Sequence, residues 1–127
     1  PPAKAAVRGD GLILGRSAGR WSLYSLEGGE PQPVPALTPQ DIPLQWSADG
    51  RFIYAAVNLG PPQRPRNDVF RIDTKSGRRT LWKTLSPADP VGVEFAGASA
   101  VITPDARSYC YSYLRRLGDL FVVDGLK

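Results

Sequence analysis

Apolar and polar positions alternate along this chain in short runs, and each run is closed by glycine, proline, aspartate or serine. That is the pattern of β-strands joined by tight turns. The clearest instance is Trp46-Ser47-Ala48-Asp49-Gly50-Arg51-Phe52-Ile53-Tyr54-Ala55, which reads strand, turn, strand. Asp49-Gly50 predicts a primed hairpin turn, since glycine accepts positive φ and aspartate bonds its own backbone. Ser47 can add a hydroxyl-to-backbone bond at the approach. Phe52, Ile53, Tyr54 and Val57 then supply the aromatic and β-branched character of a pleated surface. Asp68-Val69-Phe70-Arg71-Ile72-Asp73 predicts the next strand, closed by Lys75-Ser76-Gly77, and Arg78 to Thr84 an outer one.

Before this hairpin, Leu12 to Gly15 and Trp21 to Leu26 read as strands around a turn at Arg16-Ser17-Ala18-Gly19. In the second of them Trp21 and Leu23 share one side, and Tyr24 and Leu26 the other. Residues 1–8 read as a polar lead without periodicity. Pro31-Gln32-Pro33-Val34-Pro35 is extended and can only be an edge strand or connector, because proline cannot donate to a ladder. Asn58 to Asn67, with three prolines and two arginines, predicts a stiffened exposed loop. Val91 to Phe95 is a further extended segment.

The unit repeats. Ile102 to Tyr111, through Thr103-Pro104-Asp105, copies the central hairpin, and Asp119-Leu120-Phe121-Val122-Val123-Asp124 copies Asp68 to Asp73. Asp10-Gly11 with its flanking strands is a weaker copy upstream. Successive turns lie 39 residues (Asp10 to Asp49) and 56 residues (Asp49 to Asp105) apart. Such periods, holding several short strands each, predict propeller blades. The expected fold is all-β: about three four-stranded antiparallel blades of a β-propeller in an incomplete ring, one domain over 1–127 with units at about 9–37, 42–84 and 98–127. The last unit stops without a fourth strand. Ala106 stands where Gly50 does, and a left-handed conformation costs alanine about 1 kcal/mol, so the last turn is expected to be of another type.

These residues also carry a resemblance. Trp46-Ser47-x-Asp49-Gly50, the aromatic strand after it and Asp68-Val69-Phe70-x-Ile72-Asp73 resemble the TolB-like, WD-repeat-like β-propeller family. The segment from Thr103-Pro104-Asp105 through Tyr111-Ser112-Tyr113 to Asp119-Leu120-Phe121 is similar to the C-terminal propeller region of bacterial serine/threonine protein kinases, of the kind abundant in acidobacteria. The resemblance implies a non-catalytic binding or sensory module from the C-terminal part of a larger kinase-like or regulatory protein. Its location would be the bacterial cytoplasm, or the extracytoplasmic side if a membrane-bound kinase carries it. An accessory propeller of a prolyl-oligopeptidase-type peptidase, or of a DNA-binding one-component regulator, is the alternative.

Composition narrows the chemistry. Thirteen Gly and thirteen Pro in 127 residues suit a turn-dense β chain. The net charge of +4 is spread along the chain, which does not suggest nucleic acid. No run nears the ~18 apolar residues of a membrane helix, and the absence of methionine suggests a piece of something longer. Without histidine there is no Ser-His-Asp or Cys-His chemistry, and Cys110 alone holds no metal. Cys110, between Tyr109 and Tyr111, reads as a small packing residue. Asp49, Gly50 and Asp105 read as turn residues, as do the other strand-end carboxylates. Kinase catalytic motifs are absent, and no catalytic residue, cofactor or metal is expected.

What remains are basic pairs: Arg64 with Arg66, Arg78 with Arg79, Arg115 with Arg116. A solvated face explains them in general. Arg64 and Arg66, on the proline-stiffened loop, are the candidate site for an acidic peptide or protein partner. About three blades fall short of the roughly four to eight of closed propellers, so self-association is expected, with a dimer favoured that completes a six-bladed ring.

Overall fold

The computed structural model describes residues 6–59, 66–89, 91–94 and 100–125, and every regular element among them is a β-strand. The first sheet is a meander of β1 (Ala6–Val7), β2 (Ile13–Ser17), β3 (Arg20–Tyr24) and β4 (Gln32–Pro33), paired in that order. The second repeats the plan with β5 (Ile42–Trp46), β6 (Phe52–Leu59), β7 (Arg66–Asp73) and β8 (Arg79–Leu85). Four shorter strands follow: β9 (Val93–Glu94), β10 (Ala100–Ile102), β11 (Tyr109–Tyr111) and β12 (Leu114–Arg115). β10 pairs with β11 and β9 with β12, and every pairing in the four sheets is antiparallel.

Period-two alternation gives the second sheet two buried faces. From one face Ile53, Ala55 and Ile72 pack on Leu14, Trp21 and Leu23 of the first sheet. From the other, Tyr54, Ala56, Val69 and Leu85 pack on Ala100 and Ile102 of β10, with Tyr111 beside them. Leu14, Ile53, Val69 and Ile72 are fully buried, and each contributes about 1.5–3 kcal/mol through burial of apolar surface. Trp82 of β8 sits edge-on to both Tyr54 (5.2 Å) and Tyr109 (5.5 Å). The three sheets therefore stack face to face, and β5 lies beside both β1 and β10.

The hairpin turns differ from the primed type and agree with one another. Ser47 O accepts from Gly50 N–H, Ser47 N–H donates to Phe52 O, and the Ser47 hydroxyl donates to Asp49 Oδ1 at 2.6 Å. Arg51 N–H donates to the same carboxylate oxygen and Phe52 N–H to Ser47 Oγ. Gly50 alone carries positive φ (73°) in this loop, whereas a type I′ turn needs two such residues. Thr103 to Ser108 reproduces every one of these bonds, with Thr103, Asp105 and Ala106 in place of Ser47, Asp49 and Gly50. Ala106 takes the left-handed conformation (φ 55°), so the expectation of another turn type is corrected: the hydroxyl–carboxylate network outweighs alanine's strain. At Arg8 to Leu12 the Arg8 guanidinium replaces the hydroxyl, bonding Asp10 at 2.6 and 3.0 Å.

The connector from β4 to β5 is held by one buried ion pair. Asp41 is 1 % exposed, accepts from Thr38 N–H and Oγ, and takes both guanidinium nitrogens of Arg79 at 2.7 and 2.9 Å. Trp21 Nε1 donates to Thr38 O, tying the same connector to β3. Arg79, grouped with Arg78 as a solvated pair by its position in the chain, is thus a structural residue.

Other expectations are also revised. The polar lead contains β1, whose Val7 pairs with Ile13. The loop after Val57 is shorter, because Asn58 and Leu59 pair with Asn67 and Arg66; residues 60–65 lie outside the described residues. Among the described residues the third unit, 98–127, holds β10, β11 and β12, of which only β10 and β11 pair with each other, and not a four-stranded blade. Asp119 to Asp124 forms no strand, and Leu120, Phe121 and Val122 are exposed. The chain is diverted two residues after β11, where β12 takes β9 as its partner and Arg116 N–H bonds Gly92 O. Cys110 is exposed on β11 and does not pack into the core.

Candidate functional site

The turn carboxylates are occupied in local structure. Asp49 is held below the ordinary carboxylate range by the Ser47 hydroxyl and the Arg51 amide, and Asp105 by the Thr103 hydroxyl and the Arg107 amide. Asp10 is lowered to about 2, chiefly by the Arg8 guanidinium, and Asp73 to about 2, first by the Lys75 amide and then by Ser76 and Arg51. A general acid near neutral pH needs the opposite shift. Among the described residues no three metal-ligating side chains come together, and no helix is long and apolar enough to cross a membrane.

A cleft is built instead at the turn end of the second sheet. Antiparallel register puts Phe52 opposite Asp73, Arg71 opposite Tyr54, and Thr80 opposite Arg71, all on one face. That face is the one turned toward β10 and β11, and its Phe52 end is only partly buried. Arg71 stacks on the Phe52 ring at 4.2 Å from its centroid, and Arg51 approaches the same ring at 5.2 Å. Arg51 also bonds Asp73 Oδ2 at 3.0 Å. Arg78 and Thr80 complete the lining of a hollow of about 400 Å³.

Charge decides what this hollow suits. Asp73, kept ionised by two amides and Arg51, neutralises one guanidinium of the three. Arg71 and Arg78 have no ion pair among the described residues. The site therefore carries an excess of two positive charges around an aromatic floor. Stacking on Phe52 orients the Arg71 fork before any ligand arrives, which lowers the entropy lost on binding. A second hollow of about 480 Å³ adjoins it, lined by Arg8, Asp10, Asp49, Gly50 and Lys75, and shares Arg51.

Of the expected Arg64 and Arg66 site, Arg66 alone falls among the described residues, and Arg64 lies outside them. Arg66 opens β7 and sits 3.9 Å from the Asp68 carboxylate, which also accepts from the Thr84 hydroxyl. At ~3.3 Å per residue it is ~23 Å along the strand from Asp73. Arg115 is engaged with Asp89 Oδ2 and O. Of the described residues of the basic pairs, Arg78 alone lines the cleft, and clustering in the chain does not signal Arg51 or Arg71. The available signal was Arg71 itself, a charged residue inside the apolar run Val69-Phe70-Arg71-Ile72.

No family model matches the chain, and no curated protein matches it.

Proposed function

We propose that this chain is a non-catalytic binding module, formed by blades of a TolB-like β-propeller from the C-terminal part of a larger kinase-like or regulatory protein. Its ligand is a carboxylate-rich segment of a partner protein, taken by Arg51, Arg71 and Arg78 over Phe52. Two consecutive four-stranded meanders support the blade reading. So do their stacked faces, the recurring hydroxyl–Asp turn, and the placing of β1, β5 and β10 side by side. The observation that carries the binding reading is the pair of guanidiniums on the Phe52 ring, with Arg71 and Arg78 left without counter-ions among the described residues. A planar guanidinium fork recognises a carboxylate through two parallel hydrogen bonds.

The test is fluorescence anisotropy of a labelled peptide of alternating Glu and Gly, against the chain and against Arg71→Gln and Arg78→Gln. Each substitution should weaken binding by about tenfold, the ~1.4 kcal/mol of a charge-assisted hydrogen bond, and raised salt should weaken it further. Substitution of an exposed arginine outside the cleft, Arg20→Gln, should leave binding unchanged. Equal losses at Arg20 and Arg71 would mean general charge attraction and no site.

A further inference from the structure

The second and third sheets begin alike and then part. β6 has β5 on one edge and β7 on the other, whereas β11 has β10 on one edge and no partner on the other among the described residues. Farther along lies Asp119-Leu120-Phe121-Val122-Val123-Asp124, which matches Asp68-Val69-Phe70-Arg71-Ile72-Asp73 of β7 in length and in both terminal aspartates. Leu120 is 91 % exposed, Phe121 83 % and Val122 80 %. An apolar, β-branched segment left in water, in a chain that also leaves a sheet edge open, is a strand without its sheet.

The turns fix how they would meet. Arg107 occupies in its turn the position that Arg51 occupies in the other, and Arg51 pairs with Asp73 at the end of β7. The counterpart of Asp73 is Asp124, and the Arg107 guanidinium has no ion pair among the described residues. Copying the β6–β7 register sets Ser108 opposite Asp124, Cys110 opposite Val122 and Tyr111 opposite Phe121.

In the single chain, the link to that strand is engaged elsewhere by β12. In this register Asp119 falls opposite Tyr113, yet residues 114–116 are engaged with β9 and its approach, through the β12 pairing, the Arg116 to Gly92 bond and Arg115 on Asp89. Only Leu117 and Gly118 then lie between that anchor and Asp119, and residues 119–124 form no strand on their own β11 edge. A second copy has no such constraint. We propose that residues 119–124 of one molecule add as a strand to the β11 edge of a second copy, sealed by an Arg107–Asp124 ion pair between molecules.

The partner and register are tested with the full chain. A tagged Cys110→Ser/Val122→Cys variant is mixed with the untagged parent, which keeps Cys110, and oxidised with copper–phenanthroline. Directly opposed residues on antiparallel strands have the Cα separation a disulfide needs. A covalent heterodimer at least tenfold above the cross-linking of either protein alone supports the proposal. Equal yields in all three samples overturn it. In the parent carrying only Val122→Cys, an intramolecular disulfide migrating as monomer would show closure on the own edge and also overturn it. By sedimentation, Arg107→Glu should raise the dimer dissociation constant at least tenfold and Arg107→Glu/Asp124→Arg should restore it. A monomer at all concentrations, or no rescue by the charge swap, contradicts the assignment.

Discussion

Replacing Asp41 by asparagine probes the connector between the two large sheets with little change of shape. The carboxylate side chain is wholly buried, and the Arg79 side chain facing it is 29 % exposed. Burial raises the pKa of Asp41, but the Arg79 guanidinium and the Thr38 amide outweigh it, so the group stays ionised. Asparagine keeps an oxygen for Thr38 N–H but turns an amide donor toward a guanidinium donor. Removing one partner of a buried pair costs about 3–5 kcal/mol. The lower end applies to Asp41→Asn, because Arg79 can still reach water. The upper end applies to Arg79→Met, which strands a buried carboxylate on the Thr38 donors alone. The double variant should cost at least about 2 kcal/mol less than the sum of the singles. Urea unfolding followed by tryptophan fluorescence reads this directly, since Trp21 is bonded to the same connector through Thr38 O at 2.9 Å. Single variants that each cost under about 1 kcal/mol and add simply would refute the account of Asp41 as the clasp.

The turn at Gly50 (φ 73°) should reject a β-branched residue: Gly50→Val loses more than about 1 kcal/mol in urea unfolding. Crowding is not the reason, since an added Cβ meets Arg8 Cγ only at 3.4 Å. At Ala106 (φ 55°) glycine relieves about 1 kcal/mol of strain and gives back roughly 0.4–1 in unfolded-state entropy, so Ala106→Gly should be neutral to mildly stabilising. Both amide atoms of Asn67 are buried without a hydrogen-bond partner among the described residues, so Asn67→Val should raise stability by about 1 kcal/mol; a loss would point to a partner for that amide. For acid, the depressed carboxylates Asp10 and Asp73 stabilise the fold fully above their ordinary pKa of about 4, and that contribution is lost as pH falls toward about 2. Thermal melts by circular dichroism should therefore hold steady down to about pH 5 and fall below about pH 4; a main loss between about pH 5 and 7 would contradict this.

Local chemistry was legible where partners sit close in the chain. The Trp46 to Ala55 hairpin follows from its turn residues and alternation, and Pro31 to Pro35 announces an edge because proline lacks the donor an interior strand needs; β4, Gln32–Pro33, is that edge. Distant pairings were not legible. Asp41 and Arg79 stand 38 positions apart, and no spacing rule joins a connector acid to a strand arginine. The floor and walls of the cleft depend on which residues of β6, β7 and β8 lie opposite one another, and register is invisible in a single run. Asp119 to Asp124 has the composition of β7 and none of its pairing, because β12 on β9 redirects the chain before it.

The most direct test of the binding account is a two-dimensional amide NMR titration of the chain with the Glu–Gly peptide. The account predicts fast, salt-sensitive shifts concentrated at Arg51, Phe52, Arg71, Arg78 and Thr80, with the Arg71 and Arg78 side-chain signals moving most. Shifts centred on Arg66 and the start of β7, or spread evenly over every basic residue, would contradict it.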